Sequence, residues 1–304
     1  MDRQRHTFRQ GYSPSGPKPK PRRAKRGVAL TAVFVIVVLG SLAAKSLLPS
    51  LQAKAHGAGL PALKLVKKPA PVNQTLMASQ INGIIGSSSL EVGVSIIDLT
   101  DNQRYDYGLG DTEYIAASTT KLLSASLFLH DVEQGQDSLG QSLDDTTAQA
   151  EMQKMIVVSD DDAWVAFNDL LGHRALLQYA QSLGMNSYDP DNNTITSDDL
   201  ALLLGRLYQG KLLNSQHTNL LLGYMAQADY TQYIGSAIPQ GTKFYHKVGY
   251  LDDRVMDAAI IDNGKHPYVL VIFTKDPSGV SYDQTAGQQA FHDITAATLS
   301  VFTH

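Results

Sequence analysis

The near-continuous apolar run Tyr268-Val-Leu-Val-Ile-Phe-Thr274 constrains the fold more than any other segment of the chain. A strand without polar alternation buries both faces, so it belongs at the centre of a sheet with a layer above and a layer below. Residues 91–99 and 103–109 read as a hairpin joined by Thr100-Asp101-Asn102. Strand signals return over residues 244–248 and 258–262, and Asn263-Gly264 is a hairpin turn signal just before the central run. Between these strand groups, residues 118–222 keep helical spacing almost throughout, as in Leu122, Leu123, Leu127 and Leu129 or Leu200, Leu203, Leu204 and Leu207. An amphipathic segment near residues 76–85 opens the domain and a helix over residues 284–302 closes the chain. The predicted fold is α+β: an antiparallel sheet built from both ends of the domain, flanked by terminal helices, with an all-helical insert between its halves.

Ahead of that domain, residues 27–44 give 18 positions without a charge, what a helix rising about 1.5 Å per residue needs to cross most of a bilayer's hydrocarbon layer. Nine Lys and Arg precede them against the single acid Asp2, an asymmetry that keeps the N-terminus cytoplasmic and exports the remainder of the chain. The expectation is a single-pass protein of the cell membrane with an extracellular domain. Residues 1–26 form a disordered basic tail that needs no ligand beyond anionic lipid, residues 27–48 a transmembrane signal anchor, and residues 49–70 a stalk broken by Pro49, Gly57, Gly59, Pro61 and Pro69. A cleaved signal peptide ending near Ala53-Lys54-Ala55 is the alternative.

Residues 71–304 form the remaining domain. They carry 11 Lys/Arg against 28 Asp/Glu, a formal charge of −17, which repels phosphate backbones and excludes a nucleic-acid binder. With no Cys, thiolate catalysis, disulfides and Cys-bound metals are excluded as well.

Three short motifs carry chemistry. Ser118-Thr119-Thr120-Lys121 opens a helical segment, and residues three apart on a helix share a face, so a desolvated Lys can activate the Ser hydroxyl. The spacing alone is weak, since Ser15-Gly16-Pro17-Lys18 repeats it in the basic tail and a helix N-cap followed by a surface Lys is the plain alternative. Ser159-Asp160-Asp161 follows the apolar lead-in Met155-Ile156-Val157-Val158, whereas its decoy Ser197-Asp198-Asp199 reads as a helix cap. His246-Lys247-Val248-Gly249 ends a strand-like run. S-x-x-K, S-D-N and K-T-G in this order form the signature of class A β-lactamases and penicillin-binding proteins.

By these segments the chain resembles the class A β-lactamase-like serine hydrolases, essentially over residues 71–304. The resemblance implies Ser118 as the acylated nucleophile and Lys121 as its base. Ser159 would relay a proton to the leaving nitrogen, and Lys247 would attract a substrate carboxylate. The backbone N–H groups of Ser118 and Tyr250 would form the oxyanion hole. Asp161, Val248, Gly249 and Arg254 fall in the substrate-binding region. The implied substrate is a β-lactam or a D-Ala-D-Ala-type cell-wall peptide, with no cofactor and no metal.

Three departures qualify that likeness. Asp161 stands where the family has Asn, so a hydrogen-bond donor to substrate is lost and a nearby Lys121 would be held protonated. Val248 replaces the family's Thr, removing a hydroxyl. The Glu that activates the deacylating water has no counterpart: the last Glu is Glu151, and the connection over residues 184–196 offers only Asp189 and Asp191, which read as turn residues. Slow deacylation is expected, and a pseudoenzyme that binds cell-wall fragments is the rival reading. Arg254 could anchor a carboxylate in place of the lost hydroxyl or pair with a neighbouring acid. His246 should point away from Lys247 by strand alternation, and Trp164 should be core.

Overall fold

The computed structural model describes residues 71–302. The tail, anchor and stalk expected over residues 1–70 lie outside the described residues; among the described residues no helix is long and apolar enough to cross a membrane.

In chain order the elements begin with α1 (Gln74–Ser87), β1 (Glu91–Asp98), β2 (Arg104–Gly108) and β3 (Tyr114–Ile115). A 3-10 turn (Ala117–Thr120) then leads into α2 (Lys121–Glu133). A small hairpin, β4 (Ser142–Leu143) and β5 (Thr146–Thr147), precedes α3 (Ala148–Val157), α4 (Asp161–Leu171) and α5 (His173–Ser182). After β6 (Thr194–Ile195) come α6 (Ser197–Tyr208) and α7 (Ser215–Met225). The chain closes with β7 (Lys243–Leu251), β8 (Arg254–Asp262), β9 (Tyr268–Lys275) and α8 (Gln284–Phe302).

The main sheet runs β2-β1-β9-β8-β7 and every pairing in it is antiparallel. The apolar run is β9, at the centre, and its alternate residues feed two different cores. Val269, Val271 and Phe273 pack with the helical insert, whereas Tyr268, Leu270 and Ile272 pack with residues of α1 and α8. β8 divides in the same way, Met256, Ala258 and Ile260 on one side and Val255, Ala259 and Ile261 on the other. Each of the larger apolar side chains contributes about 1.5–3 kcal/mol relative to exposure, so the two-sided burial locks the register: a one-residue slip would exchange the two faces.

The architecture is therefore the α+β one expected, with two differences in detail. The insert is not wholly helical, because β3 pairs with β6 and β4 with β5 in two-residue ladders. β7 and β8 are also longer than their apolar signals, since a tight turn at Asp252-Asp253 lets pairing continue to Leu251 opposite Arg254. The helix caps follow local chemistry: Asp160 accepts from Ala163 N at 2.9 Å, and Thr196, one residue before the expected Ser197, accepts from Asp199 N at 3.1 Å. Ser197 instead turns inward to Ser95 Oγ and Gly110 O.

Candidate active site

Ser118 lies in the 3-10 turn that enters α2, and that turn is held from three sides. Thr119 Oγ1 donates to Ala116 O at 2.8 Å, and Ala116 N donates to Asn193 O at 2.8 Å. Asn193 Nδ2 donates to Ala117 O at 3.0 Å, while its Oδ1 accepts from Thr120 Oγ1 at 2.6 Å. Ala117, directly before Ser118, sits at φ +47°, a left-handed conformation that a Cβ-bearing residue holds only when its surroundings enforce it.

Ser159 occupies the junction between α3 and α4, also left-handed at φ +61°. The twist there turns both its carbonyl and its hydroxyl inward. Lys121 Nζ donates to Ser159 O at 2.7 Å and reaches Ser159 Oγ at 3.4 Å; Lys247 Nζ donates to the same Oγ at 2.8 Å. One hydroxyl from the insert thus meets an amine from α2 and an amine from β7.

β7 is one of the sheet's two edge strands and runs directly against the Ser118 turn. A Cβ placed on Gly249 would come within 2.7 Å of Ala116 O and 3.1 Å of Ser118 N, so Gly is required for this approach. Opposite residues in an antiparallel pair alternate between hydrogen-bonded and free, and the two-residue turn sets the alternation here. Val248 therefore directs its carbonyl off the edge, where it accepts from Lys247 Nζ at 3.1 Å. Tyr250, two residues on, directs its backbone N–H off the same edge, beside the N-terminal end of the Ser118 turn.

The resulting cleft of about 480 Å³ is lined by Ser118, Ser159, Asp161 and Val248, together with the exposed Tyr230 and Tyr250 and the buried Tyr233. The Ser118 hydroxyl makes no hydrogen bond among the described residues, the one to Lys121 suggested by the spacing included. The buried ammonium takes the stronger acceptors instead: Lys121 Nζ lies 2.6 Å from Asp161 Oδ1 as well as on Ser159 O. Burial still wins electrostatically. The Lys121 amine is held below the usual lysine range by desolvation, which outweighs the opposing pull of Asp161. Lys247 is pushed down to about 7 by burial and by the neighbouring Lys121 charge, against the attraction of Asp257, Asp161 and Asp229.

Other sequence-predicted residues lie elsewhere. Arg254 is not among the cleft-lining residues: its guanidinium forms a two-pronged pair with Asp253, Nε to Oδ1 and Nη2 to Oδ2 both at 2.7 Å. Asp189 accepts from Asp191 N at 2.8 Å and from Asn192 Nδ2 at 2.6 Å within its turn, and Asp191 ties that turn to α5 through His173 at 2.7 Å. His246 is buried, 3.1 Å from Asp257 Oδ1, and Asp257 Oδ2 accepts from Ile234 N at 3.2 Å, fixing the segment just after Tyr233. Trp164 packs partly buried on the insert's core, with Lys121 Nζ 5.9 Å from its ring centre. Sequence reasoning missed Asn193 and Asp257. Asn193 hides in the turn-forming run Asp189-Pro-Asp-Asn-Asn193, whereas Asp257 was signalled by being a carboxylate inside an otherwise apolar strand.

A family model described as the beta-lactamase enzyme family matches residues 76–302. No curated protein matches the chain in sequence. Among solved structures, a mutant of PBP-A as its acyl-enzyme complex with penicillin G is similar at 23% identity, covering 77% of this chain and 99% of its own, with a TM-score of 0.70. An ancestral (GNCA) class A beta-lactamase is similar at 20% identity over 74% of this chain and 100% of its own, TM-score 0.68. A beta lactamase from Xanthomonas campestris pv. campestris is similar at 18% identity over 74% and 97%, again with a TM-score of 0.68. At these identities the structural likeness carries the fold.

Proposed function

The chain belongs to the beta-lactamase enzyme family, and from that premise we propose that it is a membrane-anchored, extracytoplasmic serine hydrolase that forms an acyl-enzyme at Ser118 with a β-lactam or a D-Ala-D-Ala-type cell-wall peptide. The observation that carries the reading is the convergence of Lys121 and Lys247 on Ser159 at the floor of the cleft that Ser118 lines. In acylation the Ser118 Oγ–carbonyl bond forms and the carbonyl–nitrogen bond breaks. The serine proton passes to the Lys121 amine and, through Ser159, to the leaving nitrogen. The Ser118 and Tyr250 N–H groups stabilise the oxyanion. The lowered lysine affinities for protons favour this route, since a neutral amine is needed to accept one.

Deacylation is proposed to be slow. Both Asp189 oxygens are bonded within its turn, the exposed Asp191 pairs with His173 on α5, and both polar ends of the Asn193 amide are bonded to the Ser118 turn, so that connection aims no carboxylate at Ser118.

A second reading is favoured by one contact. The 2.6 Å Lys121–Asp161 pair opposes loss of the Lys121 proton, which suits a pseudoenzyme that binds cell-wall fragments without turnover. Labelling with a fluorescent penicillin decides between them: the enzyme gives a covalent adduct that Ser118→Ala abolishes, and the pseudoenzyme gives none.

A further inference from the structure

The cleft presents a single charge among its lining residues, and that charge is negative. Asp161 has a side chain 83% exposed; its Oδ1 accepts from Lys121, while its Oδ2 accepts no hydrogen bond among the described residues. The two lysines lie behind the surface, the Lys121 side chain 1% exposed and Lys247 2% exposed, so neither offers a free ammonium to ligand at the cleft mouth. The anion-binding half is correspondingly bare, with Val248 in place of a hydroxyl and Arg254 consumed by Asp253.

Two rim residues complete the arrangement. Tyr230 and Tyr250 line the same cleft with 53% and 51% of their surface exposed, and aromatic faces attract ammonium groups. The surrounding domain has a formal charge of −17, which steers cations inward and anions away. A carboxylate accepts two cations at once when each takes its own oxygen, so the Lys121 contact does not exclude a second ammonium on Oδ2.

We propose that Asp161 is a specificity-determining residue that selects substrates bearing a free, positively charged amino group on the acyl side of the scissile bond, such as an amine-bearing cell-wall peptide. This rests on the reading of the cleft as an acylation site and assigns the substrate class within it.

The test pairs two penicillins that differ only in an α-ammonium on the acyl side chain, with Ser118 acylation followed by intact-protein mass spectrometry at low ionic strength. The ammonium-bearing compound is expected to react about twofold to fivefold faster, the scale of one exposed ion pair. Asp161→Asn should bring the ratio to about one, and Asp161→Glu should retain part of the preference. The readout is a ratio, so a general loss of reactivity through Lys121 cancels.

In parallel, calorimetry on Ser118→Ala compares D-alanyl-D-alanine peptides with free and acetylated N-termini. Preferential binding of the free amine that Asp161→Asn abolishes supports the inference even if no acylation occurs, an outcome that overturns the acyl-enzyme reading alone. Acylation of both penicillins at equal rates overturns the inference and leaves the acyl-enzyme reading standing. Neither acylation nor preferential peptide binding overturns both.

Discussion

The Lys247 ammonium nitrogen lies 2.8 Å from Ser159 Oγ, joining the sheet's edge strand to a helix junction 88 residues earlier in the chain. That bond is made by a buried amine whose pKa falls from 10.5 to about 7 on folding. Below about pH 7 Lys247 is charged in both states and the burial cost is fully present. Between about pH 7 and 10.5 the folded protein has released the proton and the unfolded chain still holds it, so this residue's contribution makes stability rise with pH. Replacing Lys247 with Met is therefore expected to raise the melting temperature at pH 6 and to raise it much less at pH 9, a difference on the order of a few kcal/mol. Thermal scans of both proteins at the two pH values check this; an equal gain at both would show that burial of the charge is not what costs stability here.

Gly249 should tolerate no side chain. Gly249→Ala puts a Cβ 2.7 Å from Ala116 O, a backbone atom that cannot rotate aside. The expected cost is about 1–3 kcal/mol, seen as a melting point lower by several degrees. Penicillin labelling of Ser118 should fall at least about tenfold, because the strand must move off the turn that holds the serine. Unchanged labelling with unchanged melting would mean that the edge strand is free to shift.

Asn193 acts on Ser118 only through the turn. Asn193→Ala removes the closest side-chain partner of both Thr120 Oγ1 and Ala117 O and leaves them only their long 3.4 Å bond to each other, with a cost of about 1–3 kcal/mol. Asn193→Asp keeps the acceptor for Thr120 and loses the donor to Ala117 O. If the residue positions Ser118, the labelling rate at saturating penicillin should drop in both variants while apparent affinity for the penicillin changes little. A loss confined to affinity would place Asn193 in binding instead.

The acyl-enzyme should persist for hours by mass spectrometry, and Asp189→Asn should leave its lifetime unchanged, since both Asp189 oxygens are occupied by the turn. Rapid nitrocefin hydrolysis, or a lifetime that lengthens markedly in the variant, would instead assign Asp189 the role of activating water.

How far the fold could be read depended on where burial was written into side-chain pattern. β9 has no polar alternation and α8 spans the 19 residues that its periodicity marked, so both were legible. The reach of β7 and β8 toward Asp252-Asp253 was not, because two acids at a tight turn look like any charged loop. β3 and β6 pair over two residues, too few for a period to appear. At the site, spacing within a helix suggested a Ser118–Lys121 contact, but it could not say that an acid from α4 and a carbonyl at a left-handed residue would draw the lysine away. Asn193 carries no periodic signal at all, since its importance lies in two hydrogen bonds across more than 70 positions of chain.

The sheet acts as a party wall between two separate oily compartments, one shared with the insert and one with the terminal helices. The segments that carry Ser118 and Ser159 are rooted in the first through Ala116, Leu122 and Ala163, and Val248, buried in the cleft wall, belongs to the second. Loosening either compartment would spread the walls of the groove apart before the molecule as a whole came undone. Covalent capture of penicillin would then lapse ahead of bulk melting, making the adduct a gauge of whether both compartments are still closed.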